Sequence, residues 1–270
     1  MDLHLRDRVY IVTGGGRGLG FAAAEALLAE GARVLLSGPR EASVAAAAAR
    51  LTSHGAVEDR ISWMVADNAD AGTPELLLAA AEDRFGRLDG ALVSVGGTPG
   101  GSVASTPDAA WRSAFEEVFL GAVRIARVLG DHLAKDSGGG AAERIAGAGG
   151  AMVFVLASSV RVPLTELAVS NGLFPGLAGM VKMLADELGP TGTRVNAILP
   201  VRIATERVRQ LDALSGDPDE VRARKSQDIP LRRYGEPAEF GRMAVFLLSP
   251  AASYTTGAMI PVDGGSIRAI

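Results

Sequence analysis

The sequence predicts an α/β fold in which one doubly wound parallel sheet carries helices on both faces. Two observations support this fold class. Short apolar runs alternate with longer helical patterns from one end of the chain to the other, which is typical of parallel sheets. Most of these runs are nearly continuous, as expected for strands covered on both faces. No linker long enough to divide the chain interrupts the alternation, so we expect a single domain over residues 1–270.

The predicted elements follow one another in regular order. Strands are predicted over residues 9–13, 33–37, 61–65, 91–95, 152–156, 194–199 and 259–262. Helices are predicted over residues 19–30, 41–51, 74–85, 107–133, 167–188 and 237–248. Residues 137–150 are rich in glycine and alanine, which is typical of a flexible loop, and we expect no function for them.

A glycine-rich turn joins the first predicted strand to the first predicted helix. Residues 12–20 read Val-Thr-Gly-Gly-Gly-Arg-Gly-Leu-Gly. This order presents free backbone N–H groups at a helix N-terminus, where a phosphate is held. A side chain at Gly14 or Gly18 would block the turn, and one at Gly20 would hold the helix away from the sheet. Because the flanking periodicities agree with the glycine spacing, these residues predict dinucleotide binding.

Composition excludes several classes of function. The net charge of −4 gives no reason to expect nucleic acid or an anionic membrane as a partner, and we expect a small-molecule substrate. Cysteine is absent, which excludes disulfides and thiolate catalysis and fits a reducing compartment. No apolar run reaches membrane-spanning length and residues 1–8 lack an apolar signal region. We therefore expect a soluble, cytoplasmic protein, and no motif implies a metal.

Further motifs follow the glycine turn in a fixed order. They are Asp67 after the third strand, Leu184-Ala-Asp-Glu-Leu-Gly-Pro-Thr-Gly-Thr-Arg-Val-Asn196 leading into the sixth, Gly235-Glu-Pro, Thr256-Gly257 and Val262-Asp-Gly-Gly265. With the TGxxxGxG pattern of residues 13–20, the chain resembles the short-chain dehydrogenase/reductase family over nearly its whole length, and most of all its 3-oxoacyl carrier-protein reductases. The resemblance implies a Rossmann-like seven-stranded sheet, oxidoreductase activity with a nicotinamide cofactor, and a homotetramer or dimer.

The turn and the resemblance together predict the cofactor site. Its residues are Thr13, Gly14, Gly16, Arg17, Gly18, Leu19, Gly20, Arg40, Asp67, Asn68 and Gly96. An acid after the second strand would bind the ribose 2′-hydroxyl of NAD, but none precedes Glu41. Arg17 and Arg40 could both bind a 2′-phosphate through their guanidinium groups. We therefore predict NADP(H) rather than NAD(H); the alternative is that both arginines are ordinary surface charges.

The chain departs from the family pattern at the positions that carry the chemistry. Counted back from residues 184–196, the family's catalytic Tyr-x-x-x-Lys falls on Ser170 and Phe174. Val118 stands where the family has a helical asparagine, and Val201 where it has the glycine of a Pro-Gly pair. The resemblance therefore leaves no counterpart for the tyrosine, which delivers a proton, or for the lysine, which lowers the pKa of that tyrosine.

Serines remain as the predicted catalytic residues. Ser158 or Ser159 matches the catalytic serine of the family, and the spacing does not choose between them; Ser170 is the third candidate. General acid catalysis typically contributes about 10²–10⁴-fold, and no tyrosine or histidine is expected near these serines. Glu166 could donate a proton only if burial raised its pKa.

The predicted substrate pocket comprises Val118, Arg161, Asn171, Phe174 and Val201, with residues 201–228 as a lid by family analogy. The apolar replacements suit a large apolar or aromatic ligand; the alternative is a decayed site in a surviving fold. Pro175 either lies inside a helix, which would free the Asn171 carbonyl, or marks the first turn of a helix that begins later.

Two functions are consistent with the sequence. The first is an NADP(H)-dependent short-chain oxidoreductase that acts on a carbonyl or hydroxyl group of an apolar substrate through an atypical active site. The alternative is a non-redox family member: a ligand-binding pseudoenzyme, a cyclase or dehydratase, or an inactive partner subunit. Family likeness favours the first, and the missing proton donor favours the second.

Overall fold

The computed structural model describes residues 1–136 and 149–269, without the side chain of Asp136. Most of the loop predicted at residues 137–150 lies outside the described residues. Seven parallel strands form one sheet in the order β3-β2-β1-β4-β5-β6-β7. The strands are β1 Val9–Val12, β2 Arg33–Gly38, β3 Ile61–Val65, β4 Gly90–Ser94, β5 Ala151–Val155, β6 Arg194–Pro200 and β7 Met259–Val262. The predicted strands agree with these bounds to within one residue, and the fold class is confirmed.

Helices connect the strands. They are α1 Gly18–Ala29, α2 Glu41–Ser53, α3 Thr73–Phe85, α4 Asp108–Ala114, α5 Gly121–Asp136, α6 Ala168–Leu188, α7 Glu206–Ala213, α8 Pro218–Ser226 and α9 Pro237–Leu248. Short 3₁₀ turns lie at Glu58–Arg60, Ser158–Val160, Gly189–Thr191 and Pro250–Ala252. Between α4 and α5 the backbone forms a π-helical stretch at Phe115–Leu120, so the helix predicted over residues 107–133 is not uniform. Such stretches often occur at functional sites.

Helices α7 and α8 are short and mostly charged, so apolar periodicity is weak in both. The charged residues 207–212 are typical of a solvated helix, which agrees with α7, whereas α8 was not predicted. A capping side chain stabilises the N-terminus of each of these two helices. The hydroxyl of Thr205 accepts the Val208 N–H, and the Asp217 carboxylate accepts the N–H groups of Asp219 and Glu220. Caps of this kind satisfy backbone donors that a helix start leaves without a partner.

The core lies in two layers, one on each face of the sheet. Ile11 of β1 points to the face covered by α3, α5 and α6, where Leu77 and Leu129 are fully buried. Tyr10 and Val12 point to the opposite face, covered by α1, α2 and α9. This alternation along one strand is the two-residue period of a sheet buried on both sides.

The order of the sheet also positions a crevice. Strand β1 pairs with β2 on one side and with β4 on the other, so the connections run in opposite directions from β1. In doubly wound folds, ligands bind outside the carboxyl ends of the strands at this switch point. The loops that follow β1, β2 and β4 all begin at this edge of the sheet.

Pro175 lies inside α6, seven residues after its first residue. The first of the two interpretations of Pro175 is therefore confirmed, and the carbonyl of Asn171 lacks the N–H that a residue other than proline would supply. Among the described helices, none combines the length and the apolar character that crossing a membrane requires.

Candidate active site

A cleft of about 810 Å³ opens at the switch point between β1 and β4. Its walls come from the glycine turn, the loop after β2, the loop after β4, the π-helical stretch and the segment that follows β6. Of the predicted cofactor residues it brings together Gly14, Gly16, Arg17, Gly18, Leu19, Gly20, Arg40 and Gly96. Thr13, Asp67 and Asn68 do not line it.

The glycine turn has no room for side chains. Gly14 and Gly18 have φ values of +63° and +57°, in the left-handed region that side chains disfavour. A Cβ atom at Gly20 would lie 2.8 Å from the carbonyl carbon of Gly14, and closer still to its oxygen. Helix α1 begins at Gly18, so its first backbone N–H groups face the cleft. The turn thus has the form of a phosphate cradle.

Thr13 and Asn68 lie outside the cleft and stabilise the glycine turn through hydrogen bonds to Ser94. The Thr13 hydroxyl accepts the N–H of Ser94 at 2.9 Å and lies 3.2 Å from its carbonyl oxygen. The Asn68 side-chain amide donates to the same carbonyl at 3.1 Å. Asp67 accepts the N–H of Ala69 at 3.0 Å. These contacts join the carboxyl ends of β1, β3 and β4 to one another.

Both candidate phosphate-binding arginines are exposed at the rim of the cleft. Arg17 immediately precedes α1, and Arg40 immediately precedes α2. The loops that carry them are tied by the Ser43 hydroxyl, which donates to the carbonyl of Gly16 at 3.4 Å. The acidic residues that line the cleft, Glu117 and Glu206, belong to other walls.

The three candidate serines are buried, and none lines the cleft. The Ser159 and Ser170 hydroxyl oxygens lie 2.9 Å apart, and either can be the donor. Ser159, and not Ser158, thus pairs with the side chain at the position where the resemblance places the catalytic tyrosine.

The predicted substrate-pocket residues do not line the cleft either. Val118 and Phe174 are 0% and 5% exposed and pack into the core, because the helix faces that carry them lie against the sheet. The Asn171 amide is engaged by the backbone of Leu164, to which it makes two hydrogen bonds of 2.8 Å. Arg161 is exposed, and the Val201 N–H donates to the Val262 carbonyl at 3.1 Å.

No tyrosine or lysine of the described residues lines the cleft. Tyr10 is buried in β1, where desolvation raises the pKa of its hydroxyl, and Tyr254 is fully exposed. Tyr234 donates to Asp212 at 2.9 Å, and burial together with this hydrogen bond raises the Tyr234 pKa to about 12. Glu166 also lies outside the cleft, on a loop with its backbone at φ +57°.

Glu117 is a cleft residue that the sequence reasoning missed. Its carboxylate oxygen lies 3.1 Å from the point that a Cβ atom on Gly96 would occupy. Burial, and secondly the charge of Asp67, raise the pKa of Glu117. Counting along the family motif points to its neighbour Val118, but the π-helical stretch directs Glu117 into the cleft instead. The signal in the sequence was the pair of adjacent acids Glu116-Glu117, which directly precedes the apolar run Val118-Phe119-Leu120.

The segment after β6 forms a further wall of the cleft. Arg202, Ile203, Thr205, Glu206, Arg207 and Val208 line the cleft from it. Arg202 is held by Asp212, which is 2% exposed and also accepts hydrogen bonds from Lys225 and Tyr234. Burial alone would raise the pKa of Asp212, but these hydrogen bonds and the Arg202 charge hold it below its usual value. Among the described residues, no cluster of acidic or histidine side chains is arranged to hold a metal ion.

The chain is similar to known reductases in sequence and to solved oxidoreductases in fold. Residues 14–266 match a family model described as enoyl-(acyl carrier protein) reductase. The chain is 31% identical over 261 residues to the short-chain reductase protein NovJ of Streptomyces niveus, covering 96% of this chain and 94% of NovJ.

Two solved structures have the same fold. One is a short chain oxidoreductase from Pseudomonas aeruginosa PAO1, described as containing an atypical catalytic center, with 27% identity, a TM-score of 0.86 and coverage of 98% of this chain and 99% of that one. The other is L-sorbose reductase from Gluconobacter frateurii complexed with NADPH and L-sorbose, with 25% identity, a TM-score of 0.89 and full coverage of both chains.

Proposed function

The chain belongs to the short-chain dehydrogenase/reductase family of oxidoreductases, and on that premise we propose that it is NADP(H)-dependent and acts on a carbonyl or hydroxyl group of an apolar substrate. The observation that carries the proposal is a single cleft that combines the glycine cradle with Arg17 and Arg40. Anions bind to helix N-termini, and guanidinium groups bind phosphate through paired hydrogen bonds.

The residues of the cleft fit a dinucleotide. Gly14, Gly18 and Gly20 leave the backbone open to a pyrophosphate, and Arg17 and Arg40 would hold a 2′-phosphate. When bound, the cofactor supplies a hydride to a carbonyl carbon or accepts one from an alcohol. NADPH is the cofactor in the L-sorbose reductase complex, which supports the same choice here.

The proposed active site is atypical in its proton chemistry. Ser170 and Phe174 occupy the positions of the family's tyrosine and lysine, and a serine is a poor acid at neutral pH. We assign the hydrogen bond to the substrate oxygen to Ser158 or Ser159; both are buried behind the lining of the cleft, so this role requires the substrate oxygen to enter past that lining. We assign the source of the proton to water. The Pseudomonas protein, described as containing an atypical catalytic center, is a precedent for a departure of this kind.

The apolar substrate is supported by the walls of the cleft. Away from the glycine turn, its apolar lining residues include Pro99, Leu156, Pro200, Ile203 and Val208. Burial of apolar surface contributes about 25 cal/mol per Å², so an aromatic or aliphatic ketone would gain affinity from this lining.

Hydride transfer in a single turnover tests the proposed function. The protein, saturated with NADPH, is mixed with a panel of aryl and alkyl ketones, and absorbance at 340 nm is followed by stopped flow. We expect one equivalent of NADPH per active site to be oxidised with at least one ketone. The Gly20→Ala variant, whose affinity for NADPH should be lower by about tenfold or more, is the control and should oxidise less NADPH than the wild type when NADPH is subsaturating.

A second candidate function is ligand binding without redox chemistry. The replacement of the tyrosine and lysine positions by Ser170 and Phe174 favours it, because that change removes the usual proton donor. NADPH binding without oxidation by any ketone of the panel would favour this candidate.

We also propose a homotetramer or dimer, as the family resemblance implies. Sedimentation equilibrium measures this assembly directly. A cytoplasmic location stays a prediction from the sequence.

A further inference from the structure

The cleft carries a charge opposite to that of the whole molecule. Four arginines and two glutamates line it, whereas the chain has a net charge of −4. A concave positive region in an acidic protein attracts anions from solution. Arg17 and Arg40 lie on the glycine-turn side and are assigned to the cofactor above. Arg202 and Arg207 lie on the wall formed by the segment after β6, and the proposed function gives them no role.

Arg207 is not neutralised by a carboxylate. Its Nη2 atom lies 3.3 Å from the carbonyl oxygen of Thr98, and no ion pair among the described residues includes its guanidinium. The side chain is exposed and lies over Gly97, with Nε 3.7 Å from the point that a Cβ atom there would occupy. A guanidinium has five N–H donors, so most of those of Arg207 remain open to a ligand in the cleft.

Arg202 adds a second positive charge to the same wall. Its Nη1 atom lies 2.9 Å from Oδ1 of Asp212, and the Lys225 ammonium lies 2.8 Å from the same oxygen. Two cations thus share one carboxylate, and the cluster keeps an excess of positive charge. The hydrogen bond from Tyr234 to the other Asp212 oxygen fixes the carboxylate that orients Arg202.

The order of the sheet places Arg207 toward the expected reaction centre. The methyl group of Thr205 lies 3.7 Å from the point that a Cβ atom on Gly18 would occupy, so this segment begins over the glycine turn. Two residues later, Arg207 lies over the loop after β4. The next strand in the sheet is β5, and Ser158 and Ser159 follow it. Arg17 and Arg40 lie in the other direction, in the loops after β1 and β2.

We propose that Arg207 and Arg202 form an anion-binding subsite for an acidic group on the substrate, a carboxylate, sulfonate or phosphate. This inference rests on the proposed function and narrows it: the substrate is an apolar carbonyl or hydroxyl compound that also carries a negative charge. The guanidinium group of Arg207 binds the acidic group directly. The positive charge of Arg202 adds to the electrostatic attraction without contacting that group. The Thr98 carbonyl accepts a hydrogen bond from the Arg207 side chain and orients it in the cleft.

A matched pair of fluorescent probes tests the subsite without knowledge of the substrate. 8-Anilinonaphthalene-1-sulfonate and N-phenyl-1-naphthylamine share one aromatic skeleton and differ by the sulfonate. Both are titrated into the wild-type protein, Arg207→Ala, Arg207→Lys and the control Arg209→Ala, with and without saturating NADP⁺. Arg209 lies on the same helix, pairs with Asp219 and does not line the cleft.

We expect Arg207→Ala to weaken binding of the sulfonate probe about tenfold or more, the size of a lost charge-assisted hydrogen bond. Binding of the neutral probe should change less than about twofold by the same comparison. Arg207→Lys should lose less than the alanine variant, because it keeps the charge without the fork. Arg209→Ala should leave both probes unchanged.

Equal effects of Arg207→Ala on both probes, or no effect on either, would overturn the subsite. So would complete displacement of the sulfonate probe by NADP⁺, because the arginine would then serve the phosphates of the cofactor. If NADP⁺ fails to bind at millimolar concentration, the proposed function fails, and the comparison of the two probes still decides the subsite on its own.

Discussion

Gly20→Ala should damage both the stability of the protein and its affinity for NADPH. The added Cβ would lie 2.8 Å from the carbonyl carbon of Gly14 and 3.1 Å from the Cα of Gly15. Both neighbours are backbone atoms, so neither can rotate away. Helix α1 must therefore move outward or the glycine turn must open, and either movement separates the N–H groups that are arranged around a phosphate.

The size of the effect follows from two opposing contributions. Overpacking of this kind typically costs about 1–3 kcal/mol. Alanine in a helix gains about 0.5–1 kcal/mol over glycine. The two ranges leave a net loss of about 0–2.5 kcal/mol in the free energy of unfolding, centred on about 1 kcal/mol, or roughly 2–4 °C in Tm for a domain of this size. Loss of one charge-assisted hydrogen bond to phosphate should weaken NADPH binding about tenfold or more.

Gly179→Ala is the matched control, because the chemical change is the same and the surroundings differ. Gly179 lies within α6 with no neighbour outside its own helix within 4 Å of an added Cβ. Here only the helix preference acts, so Tm should rise by about 1–4 °C and the affinity for NADPH should stay unchanged.

Scanning calorimetry gives Tm for both variants, and isothermal titration gives the NADPH dissociation constants. A Gly20→Ala variant that matches Gly179→Ala in Tm and binds NADPH like the wild type would refute the reasoning. It would mean that the turn can relax without cost, and that close approach of the backbone is not what holds the phosphate.

Three further predictions concern the surroundings of the cleft. Asp212→Asn removes a buried carboxylate that compensates two partly exposed cations, so the unfolding free energy measured with urea at pH 7 should fall by about 1.5–3 kcal/mol, the size of a hydrogen bond to a charged group. The pKa of Asp212 is lowered in the folded state, so the difference in stability between the wild type and the variant should persist at pH values above the ordinary pKa of 3.8. It should disappear as the pH falls below that value. A stability difference that does not change with pH would contradict the prediction. The pKa of Glu117 is raised in the folded protein, so the ionised carboxylate opposes folding. Glu117→Gln should therefore match the wild type in Tm near pH 4 and exceed it at pH 8. An equal shift in Tm at both pH values would show that ionisation of Glu117 is not the reason. Ser159→Ala and Ser170→Ala should show a coupling of about 0.5–1.5 kcal/mol in a double-mutant cycle, and additive losses would show that the 2.9 Å contact contributes nothing.

Strands and the glycine turn were predictable because their signals are local. Nearly continuous apolar runs gave the strand bounds to within one residue, and the glycine turn predicted at residues 13–20 lines the cleft at the switch point. The resemblance to a family added the number of strands, and the structure added their order. Each of these inferences depends on residue type and spacing along the chain, which the sequence contains in full.

The other half of the cleft was not predictable in this way, because it depends on side-chain direction. Val118 was expected to face a ligand, but the π-helical stretch leaves it in the core and directs Glu117 into the cleft. Asn171 was expected as a binding group, yet its amide closes the loop at Leu164. Arg207 lies in a charged segment that indicates a solvated helix, and only the packing of that helix shows that it lines the cleft.

The central claim is that Arg17 and Arg40 hold the 2′-phosphate of NADP(H). The relative affinity of the protein for NADPH and NADH tests this claim most directly. NADPH and NADH are titrated calorimetrically at pH 7 into the wild type and into the Arg17→Ala/Arg40→Ala double variant. If the arginines hold the 2′-phosphate, the wild type binds NADPH about 10- to 150-fold more tightly than NADH, and the double variant binds both alike. Equal wild-type affinities, or a preference that survives both substitutions, would contradict the account.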